Sequence, residues 1–192
     1  MERMKNFFSK YHEMSTASQA FLKEHGKLTF HKKGTYYKIA GIPMSTWCFI
    51  IDGLVAKEAI QADTTIRIER ICGKNEYFTG TNHPYSDTPT ALAIKFLQPT
   101  VLFEINNSDF KRAIALHSEL NAIFHILKQH KVNRLQSTVH ILKHPSLHRV
   151  HELFRCMPDI MTLLTIKERC SFLNISCNRD YYKSLYYHIK QK

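Results

Sequence analysis

Residues 109–143 read DFKRAIALHSELNAIFHILKQHKVNRLQSTVHILK, and the reading of this stretch decides the rest. Apolar residues fall at Phe110, Ile114, Leu120, Ile123, Phe124, Leu127, Val132, Leu135, Val139 and Leu142. Spacings of three, four and seven put them on one helix face. No proline or glycine interrupts the run, Ser108 or Asp109 can cap its start, and Pro145 forces His144 out of the helical region at its end. At 1.5 Å per residue the helix would run about 50 Å, too long for one small domain to cover. The stretch is therefore expected to be a connector. Its narrow stripe, Leu120, Ile123, Phe124, Leu127, Leu135 and Val139 above all, is expected to pack on the same helix of a second copy.

Outward from the connector the chain changes character. From residue 128 on, twelve Lys and Arg face four acidic residues, whereas the first 127 residues hold 15 against 12. The formal charge of +11 therefore sits mostly in the last third, where nucleic acid is the usual partner. With 192 residues and 44% apolar content, the chain can bury an ordinary core in one medium or two small domains. Cys48, Cys72, Cys156, Cys170 and Cys177 are odd in number and contain no C-x-x-C pair, which fits a reducing cytoplasm better than a disulfide framework or zinc ribbon. Nowhere do 18 consecutive apolar residues occur, so no membrane role is expected.

Before the connector, residues 1–26 carry apolar positions at helix spacing, with Ser15 or Thr16 starting a second short helix and Gly26 as a stop. Short apolar runs follow, 28–30, 36–39, 47–51, 54–60, 66–71, 77–78, 91–96 and 100–105, of which 47–51 is compact and buried-looking and 66–71 alternates with period two. Asp52-Gly53 between two of them is the strongest hairpin signal in the chain. Such runs describe a small β-barrel or sandwich rather than a parallel sheet. After Pro145 the chain is helical, with Thr165 and Glu168 as a capping box, a turn at Asn174 and a second helix capped by Ser176. That is the layout of a helix-turn-helix, although a plain helical cap has the same composition.

Together these pieces resemble the Crp/Fnr family of bacterial regulators, of the kind found in Bacteroides-like bacteria. The likeness is carried by Lys33-Gly34-Thr35-Tyr36-Tyr37, Gly41, and Phe49-Ile50-Ile51-Asp52-Gly53-Leu54-Val55. It continues in residues 94–105 with Ser108-Asp109-Phe110, and in Pro145-Ser146-Leu147-His148-Arg149-Val150 through Pro158. The resemblance implies an α+β chain in three parts: a double-stranded β-helix (jelly-roll) sensor barrel with N-terminal helices over 1–108, a dimerisation helix over 109–143, and a helix-turn-helix over 144–192. It implies a homodimeric, cytoplasmic, DNA-binding transcription regulator with a small-molecule effector.

Two departures qualify that expectation. The family's cyclic-AMP binders carry a Phe-Gly-Glu motif and an Arg for the cyclic phosphate; here the stretch reads Phe78-Thr79-Gly80-Thr81, and no Arg or Lys stands near Thr90-Ala91. A phosphate buried without a cationic or amide partner is costly, so cyclic AMP in the familiar mode is not expected. Gly80 amides and the hydroxyls of Thr79, Thr81 and Thr90 remain the candidate pocket lining for an unknown effector. In the helix-turn-helix, Arg169 stands where the family has a buried Ile, and Asn174 replaces the turn Gly. The DNA-reading candidates are Ser176, Asn178, Arg179, Tyr182 and Lys183, and Arg169 supports the alternative of an interaction module with a decayed helix-turn-helix.

No cofactor or metal is expected. An iron–sulfur cluster would want cysteines before Cys48, and His31 and His83 are weak nominees for a haem ligand. His140, His144, His148 and His151 have no carboxylate or Cys at ligand spacing in the sequence, and no catalytic motif marks an enzyme.

Overall fold

The computed structural model describes residues 1–177 and 179–189. Two short helices open the chain, α1 (Glu2–Phe8) and α2 (Thr16–His25). The Ser15 hydroxyl accepts from the Ser18 amide and so caps α2. Gly26, expected as a helix stop, is extended at φ −110° and is the first residue of β1 (Gly26–His31). Its lack of a side chain has another cause: a Cβ there would run into the Phe103 ring and the Leu22 carbonyl.

Seven further strands follow: β2 (Tyr36–Lys38), β3 (Thr46–Asp52), β4 (Val55–Ile60), β5 (Ile66–Cys72), β6 (Tyr77–Thr79), β7 (Ala93–Phe96) and β8 (Thr100–Asn106). They make two four-stranded sheets, ordered β1-β8-β3-β6 and β2-β7-β4-β5. Antiparallel pairing joins β1 to β8, β8 to β3, β3 to β6 and β2 to β7. This is the expected jelly-roll arrangement with one correction. β3 and β4 lie in different sheets, so Asp52-Gly53 is a crossing between sheets and not a hairpin. Gly53 takes φ +108° there, and the Leu54 carbonyl is met by the Leu97 amide at 2.8 Å. The tight turn between neighbouring strands is the β4–β5 turn, where the Gln61 amide reaches the Thr65 carbonyl at 2.8 Å and the Asp63 carboxylate accepts from the Thr65 amide and hydroxyl.

β3 is buried on both faces, which is why its sequence is a continuous apolar run rather than an alternating one. Trp47, Phe49 and Ile51 join Tyr77, Phe103 and Ile105 in a core shared with the helices. Cys48 and Ile50 join Val55, Phe78, Ile94, Phe96 and Leu102 between the sheets.

The connector is two helices. α3 (Asn107–Leu116) ends at His117, which is extended at φ −124°, ψ 104°, and α4 (Ser118–Lys143) begins at once. An unbroken helix at about 100° per residue would put Ile114 and Leu120 about 120° apart. The break lets both enter the same core with Phe110, Ala113, Ile123, Phe124 and Leu127. Leu120, Ile123, Phe124 and Leu127 were expected at a dimer interface; they are covered by their own barrel and α1.

Then come α5 (Ser146–Cys156), α6 (Pro158–Leu163), α7 (Ile166–Leu173) and α8 (Asp180–Ile189). By its contacts the chain divides into two units. One is Met1–Lys57 with Ile71–Lys131, and the other is Glu58–Arg70 with the chain from Val132 onward. In the second unit Ile141, Val150, Leu153, Met157, Ile160, Cys170, Phe172, Leu173 and Tyr181 are buried. The β4–β5 turn region belongs to it through Ser171, whose hydroxyl accepts from the Ile68 amide at 3.0 Å. Among the described residues no helix is long and apolar enough to cross a membrane.

Candidate nucleic-acid interface and barrel interior

The residues expected to line an effector pocket are spent within the fold. Phe78 is wholly buried in the inter-sheet core. The Gly80 amide donates to the Thr46 carbonyl, and its Cα lies too close to Met44 for any side chain. The Thr79 hydroxyl donates to the Thr81 carbonyl at 2.7 Å, the Thr81 hydroxyl to the His83 carbonyl at 2.8 Å, and the Thr90 hydroxyl accepts from the Leu92 amide. Thr81 also bridges to Pro89 as an isolated antiparallel pair, which closes the loop on itself, while Ala91 is exposed.

No Arg or Lys adjoins Thr90-Ala91 in sequence, yet the fold supplies two cations to this loop. Lys38 from β2 is 4% exposed and donates to the Thr90 and Leu92 carbonyls at 2.9 and 3.4 Å. Burial pushes its pKa below the usual ammonium value. Lys57 from β4 reaches the Thr79 carbonyl at 3.4 Å. Both lie far in sequence from the loop they hold, so no local motif could have revealed them. Beside them runs a polar seam: Tyr37 Oη meets Thr46 Oγ1 at 2.9 Å and the Cys48 thiol at 3.2 Å. Burial pushes the Cys48 thiol up to about 12. His31 stacks on Phe96, and its Nε2 lies 2.9 Å from Thr29 Oγ1 and 3.2 Å from Glu104 Oε1. His83 is exposed and accepts from the Tyr85 amide.

In the second unit the first helix of the helix-turn-helix forms as its capping signals imply. But α8 begins only at Asp180, so Ser176, expected as its cap, stands four residues ahead of it and accepts from the Arg179 amide at 3.4 Å. Thr165 and Glu168 make the reciprocal capping box of α7, and Asn174 takes the left-handed turn position at φ 53°, ψ 55°. Arg149 of α5, which the sequence did not single out, donates to the Leu173 and Asn174 carbonyls at 2.9 and 3.3 Å and so satisfies the end of α7. Arg169, the best argument for a decayed motif, has two partners: Nε donates to the Met161 carbonyl at 3.1 Å and Nη1 to the Tyr181 hydroxyl at 2.7 Å. Tyr181 and Ser184 turn inward, and Ser184 Oγ donates to the Leu147 carbonyl of α5 at 2.5 Å.

The opposite face of α8 is open. Tyr182, Lys183 and Tyr186 are exposed on it, and Ser176 and Arg179 are exposed just before it. The Lys183 amide bonds to the Arg179 carbonyl, so Arg179 stands one turn ahead of Lys183 on that face. Arg179 Nε contacts Asp180 Oδ1 at 3.3 Å with its side chain 73% exposed. Asn178 lies outside the described residues.

The histidines at the α4–α5 bend also differ from expectation. The antiparallel return of α5 brings Glu152 and Cys156, one turn apart, to His140, and their ligand atoms all lie within 4.8 Å of one another.

No family model and no curated protein sequence matches the chain. Solved structures do. A cyclic nucleotide-binding domain containing protein from Listeria monocytogenes is similar at TM-score 0.74 and 11% identity, covering 91% of this chain and 90% of that one. FixK2 from Bradyrhizobium japonicum is similar at TM-score 0.71 and 11% identity over 86% and 85%. The c-di-GMP responsive global regulator CLP of Xanthomonas campestris is similar at TM-score 0.66 and 14% identity over 92% and 93%. With its two-sheet barrel, connector helix and helix-turn-helix in that order, the chain has the fold of the Crp/Fnr-type regulators.

Proposed function

We infer that the protein is a homodimeric, DNA-binding transcription regulator, non-catalytic, with α8 as the helix that enters the major groove. The observation that carries this reading is the open face of α8 and its approach: Ser176 and Arg179 are exposed just ahead of the helix, and Tyr182 and Lys183 are exposed on it, while its other face is fixed by Tyr181 and Ser184. Arg179 is suited to guanine edges, while Lys183 and Tyr182 are suited to phosphate. The surplus of basic residues after residue 127 supplies the sequence-independent attraction.

Dimerisation rests on the second half of α4. Val132 and Val139 are 44% and 50% exposed, and with Leu135 and Leu142 they follow heptad spacing, Val at the a positions and Leu at d. Branched a and Leu d residues favour two-stranded coils. A two-fold pair of α8 helices then fits half-sites about one helical turn apart. The loop over residues 79–92, tied by Lys38 and Lys57, speaks against cyclic AMP in the familiar mode, because the groups that would meet its phosphate already serve carbonyls.

The test is a gel-shift assay of the full chain on genomic fragments at several salt concentrations. Retardation that weakens steeply with salt and concentrates on particular fragments is expected. Absence of retardation even at low salt ends the regulator reading.

A further inference from the structure

We propose that His140, Glu152 and Cys156 form a site for a divalent transition metal, zinc being the natural occupant. His144, whose Nε2 reaches His140 but lies outside the three-residue cluster, rotates in as fourth ligand. The side chains come from two helices that run past each other: His140 near the end of α4, His144 just beyond it, and Glu152 and Cys156 one turn apart on α5. His140 Nε2 and His144 Nε2 face each other at 3.4 Å. Two nitrogens bound at about 2.0–2.1 Å to one tetrahedral zinc sit about 3.3–3.4 Å apart. The two rings, four residues apart, also pack edge to face with centroids 4.9 Å apart. Glu152 Oε2 lies 3.4 Å from His140 Nε2, again a tetrahedral edge, and 4.0 Å from Cys156 Sγ, which a small rotation closes. The Glu152 side chain is 13% exposed, and its Oε2 faces the half-exposed His140 and Arg155. A thiolate with imidazoles and one carboxylate suits zinc and cobalt and disfavours magnesium or calcium.

One side chain competes for the centre. Arg155 Nη2 lies 2.6 Å from Glu152 Oε2 and 3.1 Å from His140 Nε2, holding a positive charge where the metal would hold two. Arg155 can only donate, so its contact needs His140 Nε2 as an acceptor, the state a ligand needs, while the Glu152 carboxylate 3.4 Å away favours the same atom as a donor. Arg155 is 57% exposed on the side chain and is free to swing into solvent when an ion displaces it. A metal here ties the end of α4 to α5 across the bend at residues 144–145 and so fixes the direction in which the helix-turn-helix leaves the connector. The site stands on this geometry and not on the regulator reading.

Titration of the full chain with Co²⁺ is the experiment. The expected result is saturation at one ion per chain, with visible bands of tetrahedral cobalt and a near-ultraviolet thiolate charge-transfer band, all reversed by Zn²⁺. Cys156→Ser removes the charge-transfer band. His140→Gln weakens zinc at least about 100-fold, since even outer-shell losses cost roughly 10–100-fold. Arg155→Ala tightens binding by removing the competitor. With twelve histidines in the chain, weak imidazole-only binding elsewhere is expected to leave no thiolate band. A wild-type chain without that band, a band that survives Cys156→Ser, or zinc affinity unchanged by His140→Gln each overturns the site. Circular dichroism on each variant separates lost binding from lost folding, and Arg155→Ala, at an exposed position, retains the test if a ligand variant fails to fold.

Discussion

Replacing Arg169 by methionine keeps its aliphatic stem and removes the guanidinium that serves the Met161 carbonyl and the Tyr181 hydroxyl. Tyr181 is 2% exposed, so its hydroxyl would be left without that partner in a dry site. An unsatisfied buried polar group costs about 1–3 kcal/mol, and a urea midpoint lowered to that extent is expected for Arg169→Met. A variant as stable as the parent would mean that the charge serves something other than packing. Glu119 offers a second residue-scale measurement. The Ser15 hydroxyl at 2.6 Å holds its carboxyl down to about 2 from the ordinary 4.5. A depressed folded pKa stabilises the fold above 4.5, and that contribution fades as pH falls and is gone below about 2. The stability gap between the wild type and Glu119→Gln should therefore be largest near neutrality and narrow through that window. A gap constant with pH would remove the carboxylate from the account. At Gly26 the physical reason and the local signal parted: a glycine after a helix reads as a left-handed stop, whereas the demand comes from the Phe103 ring, 77 positions away in a strand that only pairing brings near. Gly26→Ala is expected to cost about 1–3 kcal/mol by overpacking.

Among the elements, the eight strands were legible because each is a short apolar run cut by turn residues, and only the sheet to which each belongs was not. Asp52-Gly53 signals a sharp reversal with positive φ, and it makes one. Whether the reversed strand pairs with its predecessor or crosses to a facing sheet depends on the partners β8 and β7, which local chemistry does not encode. The connector failed for a related reason. Its apolar residues were read as one stripe, but they are two faces: one through Leu120, Phe124 and Leu127, buried in the barrel core, and one through Val132, Leu135, Val139 and Leu142. Periods of 3.5 and 3.6 are indistinguishable over so few turns, so a stripe that changes partners midway looks continuous. The two faces predict different mutants. Val139→Glu should leave the protomer folded, by circular dichroism and thermal melting, and shift its mass in light scattering from two chains to one. Leu127→Glu, at a site 2% exposed, should unfold the protomer. If Val139→Glu leaves the mass unchanged, the heptad face is not where copies meet.

For the whole molecule the asymmetry of charge matters more than its total. The basic residues after residue 127 give a field suited to nucleic acid, and on the proposed reading the α8 face carries the groups that distinguish one sequence from another. Arg169 needed the structure to be understood, because the sequence shows a charge at a core position and hides the phenol and carbonyl that meet it. The DNA-reading candidates needed less, since a capping box, a turn Asn and an apolar helix spacing already fix which face of α8 points outward. Lys183 and Arg179 then separate two contributions. If Lys183 holds phosphate, Lys183→Ala should weaken all fragments about equally and flatten the dependence of log affinity on log salt by about 0.9 per lost contact in each half-site. If Arg179 reads a base, Arg179→Ala should cost its preferred fragment about 1–3 kcal/mol more than random DNA, with a smaller change in slope. Affinities of both variants, measured by fluorescence anisotropy from low to physiological salt, decide the assignment. Equal losses on specific and random DNA for Arg179→Ala would move that residue to the phosphates, and unchanged slopes for both would take α8 off the DNA altogether.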